Sequence, residues 1–141
     1  GRLFPIQVNE NLLLLDDTYN ANVDSLQAAI DVLKGYDAFR ILCVGDMKEL
    51  GENSLAIHHE VGQHVNSANL DLVCSYGNES AVISEAVSGK HFTDKVEMVD
   101  FLVPLIETQL QQNNKVVVLG KGSRSMKMED VIYSLKDKIK C

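Results

Sequence analysis

Short apolar runs alternate with amphipathic stretches along this chain. The runs are Leu12-Leu13-Leu14-Leu15, which ends in Asp16-Asp17, then Ile41-Leu42-Cys43-Val44-Gly45, Leu72-Val73-Cys74-Ser75, the brief Lys90-His91-Phe92, and Val116-Val117-Val118-Leu119-Gly120. Each is too short for a helix of that apolarity, and each suits a strand buried on both faces. Between them the apolar spacing changes to that of helices. Residues 24–34 carry Leu26, Ile30 and Leu33, with Asp24-Ser25-Leu26-Gln27 as a capping box and Gly35 as a stop. Residues 54–68 carry Leu55, His58, Val61, Val65 and Ala68 on one face. Further helices are predicted over 79–87, over 95–112 with a kink or break at Pro104, and over 128–139.

Upstream, Phe4-Pro5-Ile6-Gln7-Val8 is separated from Leu12 by Asn9-Glu10-Asn11. Two short runs around a polar turn read as a hairpin. The pattern therefore predicts an α/β fold of Rossmann-like type. Its open sheet is mostly parallel with one antiparallel edge strand, and helices cover both faces. Residues 1–141 read as a single domain, with no internal repeat or linker.

Composition narrows the function. Against 13 Lys and Arg stand 20 Asp and Glu, so the net charge is −7. Like-charge repulsion argues against nonspecific binding to nucleic acid or to an anionic membrane surface. The longest aliphatic run, Leu12 to Leu15, falls far short of the roughly 18 to 20 residues that span a bilayer. The start, Gly1-Arg2-Leu3-Phe4-Pro5, has no Met and no apolar leader, and reads as a fragment or processed piece. Cys43, Cys74 and Cys141 show no metal spacing, so reduced thiols in a cytoplasmic protein are expected, the first two as core residues.

Ligands of open α/β sheets bind beyond the carboxyl ends of the strands. Three of those ends hold unusual chemistry. Asp16-Asp17-Thr18-Tyr19-Asn20-Ala21-Asn22 has more polar groups than one helix cap needs. Gly45-Asp46-Met47-Lys48-Glu49-Leu50-Gly51-Glu52 places a carboxylate just past a strand-terminal glycine. Gly120-Lys121-Gly122-Ser123-Arg124-Ser125-Met126-Lys127 gathers three cations, Lys121, Arg124 and Lys127, with two hydroxyls before the last helix. That composition suits an anion such as a carboxylate or phosphate.

Other patterns are absent or misplaced. Lys121-Gly122-Ser123 has its lysine before the glycine, so no GxxxxGK[ST] phosphate loop exists, and GxGxxG is missing too. His59 and His64 are five positions apart, which leaves them about 140° apart on a helix and unable to share a zinc ion. No metal ligand set is expected.

Taken in order, the strand-end segments resemble the C-terminal domain of the Mur ligases. The resemblance rests on Asp16-Asp17-Thr18-Tyr19-Asn20-Ala21-Asn22, Gly45-Asp46-Met47 with Glu49-Leu50-Gly51-Glu52, His91-Phe92-Thr93-Asp94-Lys95, and Lys121-Gly122-Ser123-Arg124 with Met128-Glu129. It extends to Gly1-Arg2 and so covers essentially the whole chain. Thr18 stands for a usual Ser, Val23 for a usual Pro, and Ser125 for a common Gly or Ala.

The resemblance implies one domain of a three-domain, ATP-dependent amide ligase of peptidoglycan synthesis. N-terminal and central domains would hold the UDP-sugar, the phosphate loop and Mg²⁺. This domain would close over ATP and bring in D-alanyl-D-alanine for addition to UDP-N-acetylmuramoyl-tripeptide through an acyl phosphate. It implies nucleotide contacts at Arg2, Asp17, Asn20 and Asn22, with Asp17 on the ribose. It implies dipeptide contacts at Ser123, Lys121 and Arg124 on the carboxylate and at Asp46 on the amine. ATP and Mg²⁺ would both be held mainly by the central domain, and the isolated chain would be inactive. Two other readings remain: a receiver-type signalling domain, for which Asp46 lies one strand too early, and a bare nucleotide-binding module.

Overall fold

Strand β1 (Phe4–Asn9) turns back into β2 (Leu12–Asp17) as an antiparallel hairpin, with Phe4 opposite Asp16. The computed structural model describes residues 3–18 and 22–139. After β2 the chain alternates: α1 (Val23–Lys34), β3 (Phe39–Gly45), α2 (Ser54–Ala68), β4 (Leu72–Tyr76), α3 (Ala81–Glu85), β5 (Lys90–Phe92), α4 (Lys95–Gln111), β6 (Val116–Lys121) and α5 (Glu129–Lys138). The sheet order is β1-β2-β6-β3-β4-β5, and every pair except β1/β2 is parallel.

The near-continuous apolarity of the strands follows from burial on both sides. Leu12 and Leu14 of β2, Ile41 and Cys43 of β3, and Val116 and Val118 of β6 pack on one face with α4 and α5. Their neighbours Leu15, Leu42, Val44, Val117 and Leu119 pack on the other face with α1 and α2. Strict alternation sorts a uniform run into two cores.

Three elements differ from the sequence pattern. The capping box of α1 is Asn22 with Ser25: Asn22 Oδ1 accepts from Ser25 N at 2.8 Å, and Ser25 Oγ accepts from Asn22 N at 3.0 Å. Helix α3 is much shorter than 79–87, because the amides of Asn78 and Ser80 are drawn to the Asp46 carboxylate and the chain leaves the helix through Ser88 at positive φ. Helix α4 runs through Pro104 without a break. Pro104 and Asp100, whose carbonyl it leaves without an intrahelical donor, are both exposed, so water can take that acceptor.

Candidate functional site

The carboxyl ends of β2, β3 and β6 bring the three polar segments together. Residues Asp17 and Lys121 are register partners on adjacent parallel strands. Their side chains meet as a buried ion pair, with Lys121 Nζ 3.0 Å from Asp17 Oδ2. Lys121 is fully buried and also donates to the Asp17 carbonyl at 3.4 Å. Asp17 Oδ1 is buried and meets no hydrogen-bond donor among the described residues. An acceptor held in that way has capacity for a ligand hydroxyl.

Asp16 points to the opposite face and is occupied internally. Its Oδ1 accepts from Thr18 N at 3.2 Å and Thr18 Oγ1 at 2.6 Å. Partial burial, then the negative charge of Asp16, hold the hydroxyl of Tyr133 in α5 above its ordinary range.

Beyond β3, Asp46 is buried. Its Oδ2 accepts from Asn78 N at 2.9 Å and its Oδ1 from Ser80 N at 2.9 Å. Burial pushes this carboxyl up, but the amides of Asn78, Ser80 and Glu79 reverse that and hold it below its ordinary value. Gly77 makes this approach possible. Its φ is +122°, and a Cβ there would lie 2.5 Å from Asp46 Oδ1. His91 fixes the same turn through Nε2 on the Gly77 carbonyl and Nδ1 on Ser75 Oγ, both at 2.7 Å.

The segment after β6 locks against the segment after β3. Gly122 lies so close to Gly45 that a Cβ on Gly122 would be 3.1 Å from the Gly45 Cα. Ser123 N donates to the Asp46 carbonyl at 3.1 Å, and Lys48 N donates to Ser123 Oγ at 2.6 Å. Because Ser123 Oγ accepts that bond, its own proton is left to donate to an anion. Arg124 is exposed and pairs with Glu129. Lys127 is exposed, and Lys48 is 43% exposed, with its ammonium 3.5 Å from Asp46 Oδ2. Lys95 of α4 clamps the short 3-10 turn Arg124–Met126, donating to the Met126 and Lys127 carbonyls at 3.1 and 3.3 Å and to Asp130 at 2.8 Å.

Two sequence expectations change here. The resemblance places Lys121 beside a dipeptide carboxylate. Its ammonium instead sits at the carboxyl end of the sheet against Asp17, because its side chain follows the inward alternation of Leu119 and Val117. The resemblance places Asp46 on the dipeptide amine, yet its lone pairs are directed at backbone amides, so it positions a turn. Asn22 caps α1 with its carbonyl oxygen and has its Nδ2 amide left for a ligand. Arg2 and Asn20 lie outside the described residues. Four residues hold the site in place without a role implied by the resemblance: Lys48, His58, Gly77 and Lys95. His58 had a signal, a polar residue on the apolar face of α2, although its partner was not readable.

Among the described residues no group of three His, Cys, Asp or Glu is arranged to hold a metal ion. Likewise, none of their helices is long and apolar enough to cross a membrane.

A family model described as "Mur ligase, glutamate ligase domain" matches residues 1–135. The chain belongs to the Mur ligase family.

Individual relatives agree with that placement. The UDP-N-acetylmuramoyl-tripeptide–D-alanyl-D-alanine ligase of Haemophilus influenzae is 92% identical over 141 residues, covering 100% of this chain and 31% of that protein. A crystal structure of MurF from Acinetobacter baumannii superposes with a TM-score of 0.87 at 34% identity, covering 98% of this chain and 31% of that one. MurF ligase from Thermotoga maritima, solved in complex with ADP, gives a TM-score of 0.79 at 28% identity, over 98% of this chain and 31% of that one. This Mur ligase domain thus spans about a third of the length of the relatives it matches. Its fold is the one the apolar pattern predicts, a mostly parallel sheet with one antiparallel edge strand.

Proposed function

We propose that this domain serves an ATP-dependent ligase that joins D-alanyl-D-alanine to UDP-N-acetylmuramoyl-tripeptide. Two groups with unused hydrogen-bonding capacity at the carboxyl ends of β2 and β6 carry this reading: Asp17 Oδ1, which meets no donor among the described residues, and the Ser123 hydroxyl with its proton to give. One suits ribose hydroxyls, the other a carboxylate. A relative named for this reaction and another solved with ADP support the reading.

In the proposed reaction the tripeptide carboxylate attacks the γ-phosphorus of ATP, and ADP leaves. The dipeptide amine then attacks the acyl carbon, loses a proton, and expels inorganic phosphate. Mg²⁺ would supply neutralisation of phosphate charge, and in this reading it is held mainly by the central domain. Asp17 Oδ1 accepts from the ribose, with its carboxylate held in place by Lys121. Asn22 contributes its amide, and Arg2 and Asn20 complete the nucleotide contacts. Ser123 donates to the dipeptide carboxylate, with Arg124, Lys48 and Lys127 supplying positive charge around it. The N-terminal and central domains of the same enzyme are the partners, and the setting is the cytoplasm, where ATP is available. The 141-residue chain alone is expected to release no ADP from ATP, UDP-sugar tripeptide and dipeptide. ADP release by the isolated chain would contradict this division of labour.

A further inference from the structure

His58 lies on α2, facing inward, with no exposed surface. Its Nε2 meets the Met47 amide at 3.0 Å, and its Nδ1 meets the Ser54 carbonyl at 2.7 Å, with Glu79 Oε2 at 3.9 Å. A backbone N–H can only donate and a carbonyl can only accept. His58 is therefore neutral with its proton on Nδ1, and both ring nitrogens are used. Met47 sits between the two residues that hold Ser123: the Asp46 carbonyl accepts from Ser123 N, and Lys48 N donates to Ser123 Oγ. Glu49 and Gly51, just beyond, have φ of 63° and 76°, so local backbone preference does not by itself fix this segment.

We infer that His58 is a positioning residue for dipeptide binding: through Met47 N it holds the backbone of residues 46–48 where Lys48 N orients the Ser123 hydroxyl. The inference deepens the proposed function and rests on Ser123 meeting the dipeptide.

The test uses the full-length ligase that carries this chain. His58→Leu is expected to raise the KM for D-alanyl-D-alanine about tenfold, as expected from stranding one buried amide. The KM for ATP and kcat should change less than about twofold. Hydrogen exchange of the amides at 47–48, read by mass spectrometry, should accelerate. His58→Gln, whose Oε1 can accept from Met47 N, should recover most of the loss in both readouts. Equal impairment of His58→Gln and His58→Leu, or a joint change in kcat and both KM values, would overturn the inference. Should His58→Leu not fold, His58→Asn, too short to reach Met47 N, is measured by the same criteria. Ser123→Ala is run in parallel. If it leaves the dipeptide KM unchanged, the reading of Ser123 fails, and the exchange result then decides His58 separately: unchanged exchange at 47–48 overturns its positioning role.

Discussion

Lys121 and Asp17 form a buried ion pair, Nζ to Oδ2 at 3.0 Å, at the carboxyl ends of neighbouring parallel strands. The pair links the strand that opens the proposed nucleotide contacts to the strand that leads into Ser123. Removing one partner strands a buried charge, which costs about 3–5 kcal/mol. Lys121→Met should therefore lower the unfolding free energy by about that much in urea titration. Lys121→Met combined with Asp17→Leu should recover a large part of it. If Lys121→Met were neutral, the pair would not be the buried contact described here.

Asp46 makes stability depend on pH. Its carboxyl lies below its ordinary value because amides of Asn78, Ser80 and Glu79 outweigh burial. Its contribution is fully present above the unfolded value, about 3.9, and is lost as pH falls through the lowered folded value. Asp46→Asn turns an NH₂ towards those amides and should cost about 1–3 kcal/mol at neutral pH. That gap should shrink as the pH is taken below about 4, as read by denaturation at a series of pH values. Gly77→Ala should mimic the loss, since its Cβ would collide with the same carboxylate. A gap independent of pH would contradict the account.

Cys43 and Cys74 face one another on adjacent strands and are buried. Burial, and then the neighbouring Cys74, push the Cys43 thiol well up; burial, opposed by Lys90, pushes Cys74 up to about 12. Neither should be alkylated by iodoacetamide at about pH 8 in the folded chain, because the thiolate is the nucleophile. Both should react after unfolding in urea. Peptide mass spectrometry distinguishes them from Cys141.

The elements were legible because each strand is buried on two faces and each helix on one stripe. Helix α2 occupies residues 54–68 as its spacing predicts. The insertion of β6 between β2 and β3 was not legible, since long-range pairing leaves no local pattern. At the site the segments were visible but the partners were not. Nothing in the spacing of Asp46 shows that amides of the 78–80 turn already fill its lone pairs, or that Lys121 follows Leu119 inward. The resemblance makes Asn22 a ligand group, and its side-chain carbonyl caps the helix it precedes.

In the proposed site Asp17 serves the nucleotide and Ser123 the dipeptide. Steady-state kinetics of the full-length ligase test it most directly. Ser123→Ala should raise the KM for D-alanyl-D-alanine by about tenfold or more, the worth of one charge-assisted hydrogen bond, with little change for ATP. Asp17→Asn, which keeps the shape and removes the charge, should do the reverse. If both variants altered only the use of ATP, or both only the use of the dipeptide, the division of the site between these two residues would be wrong.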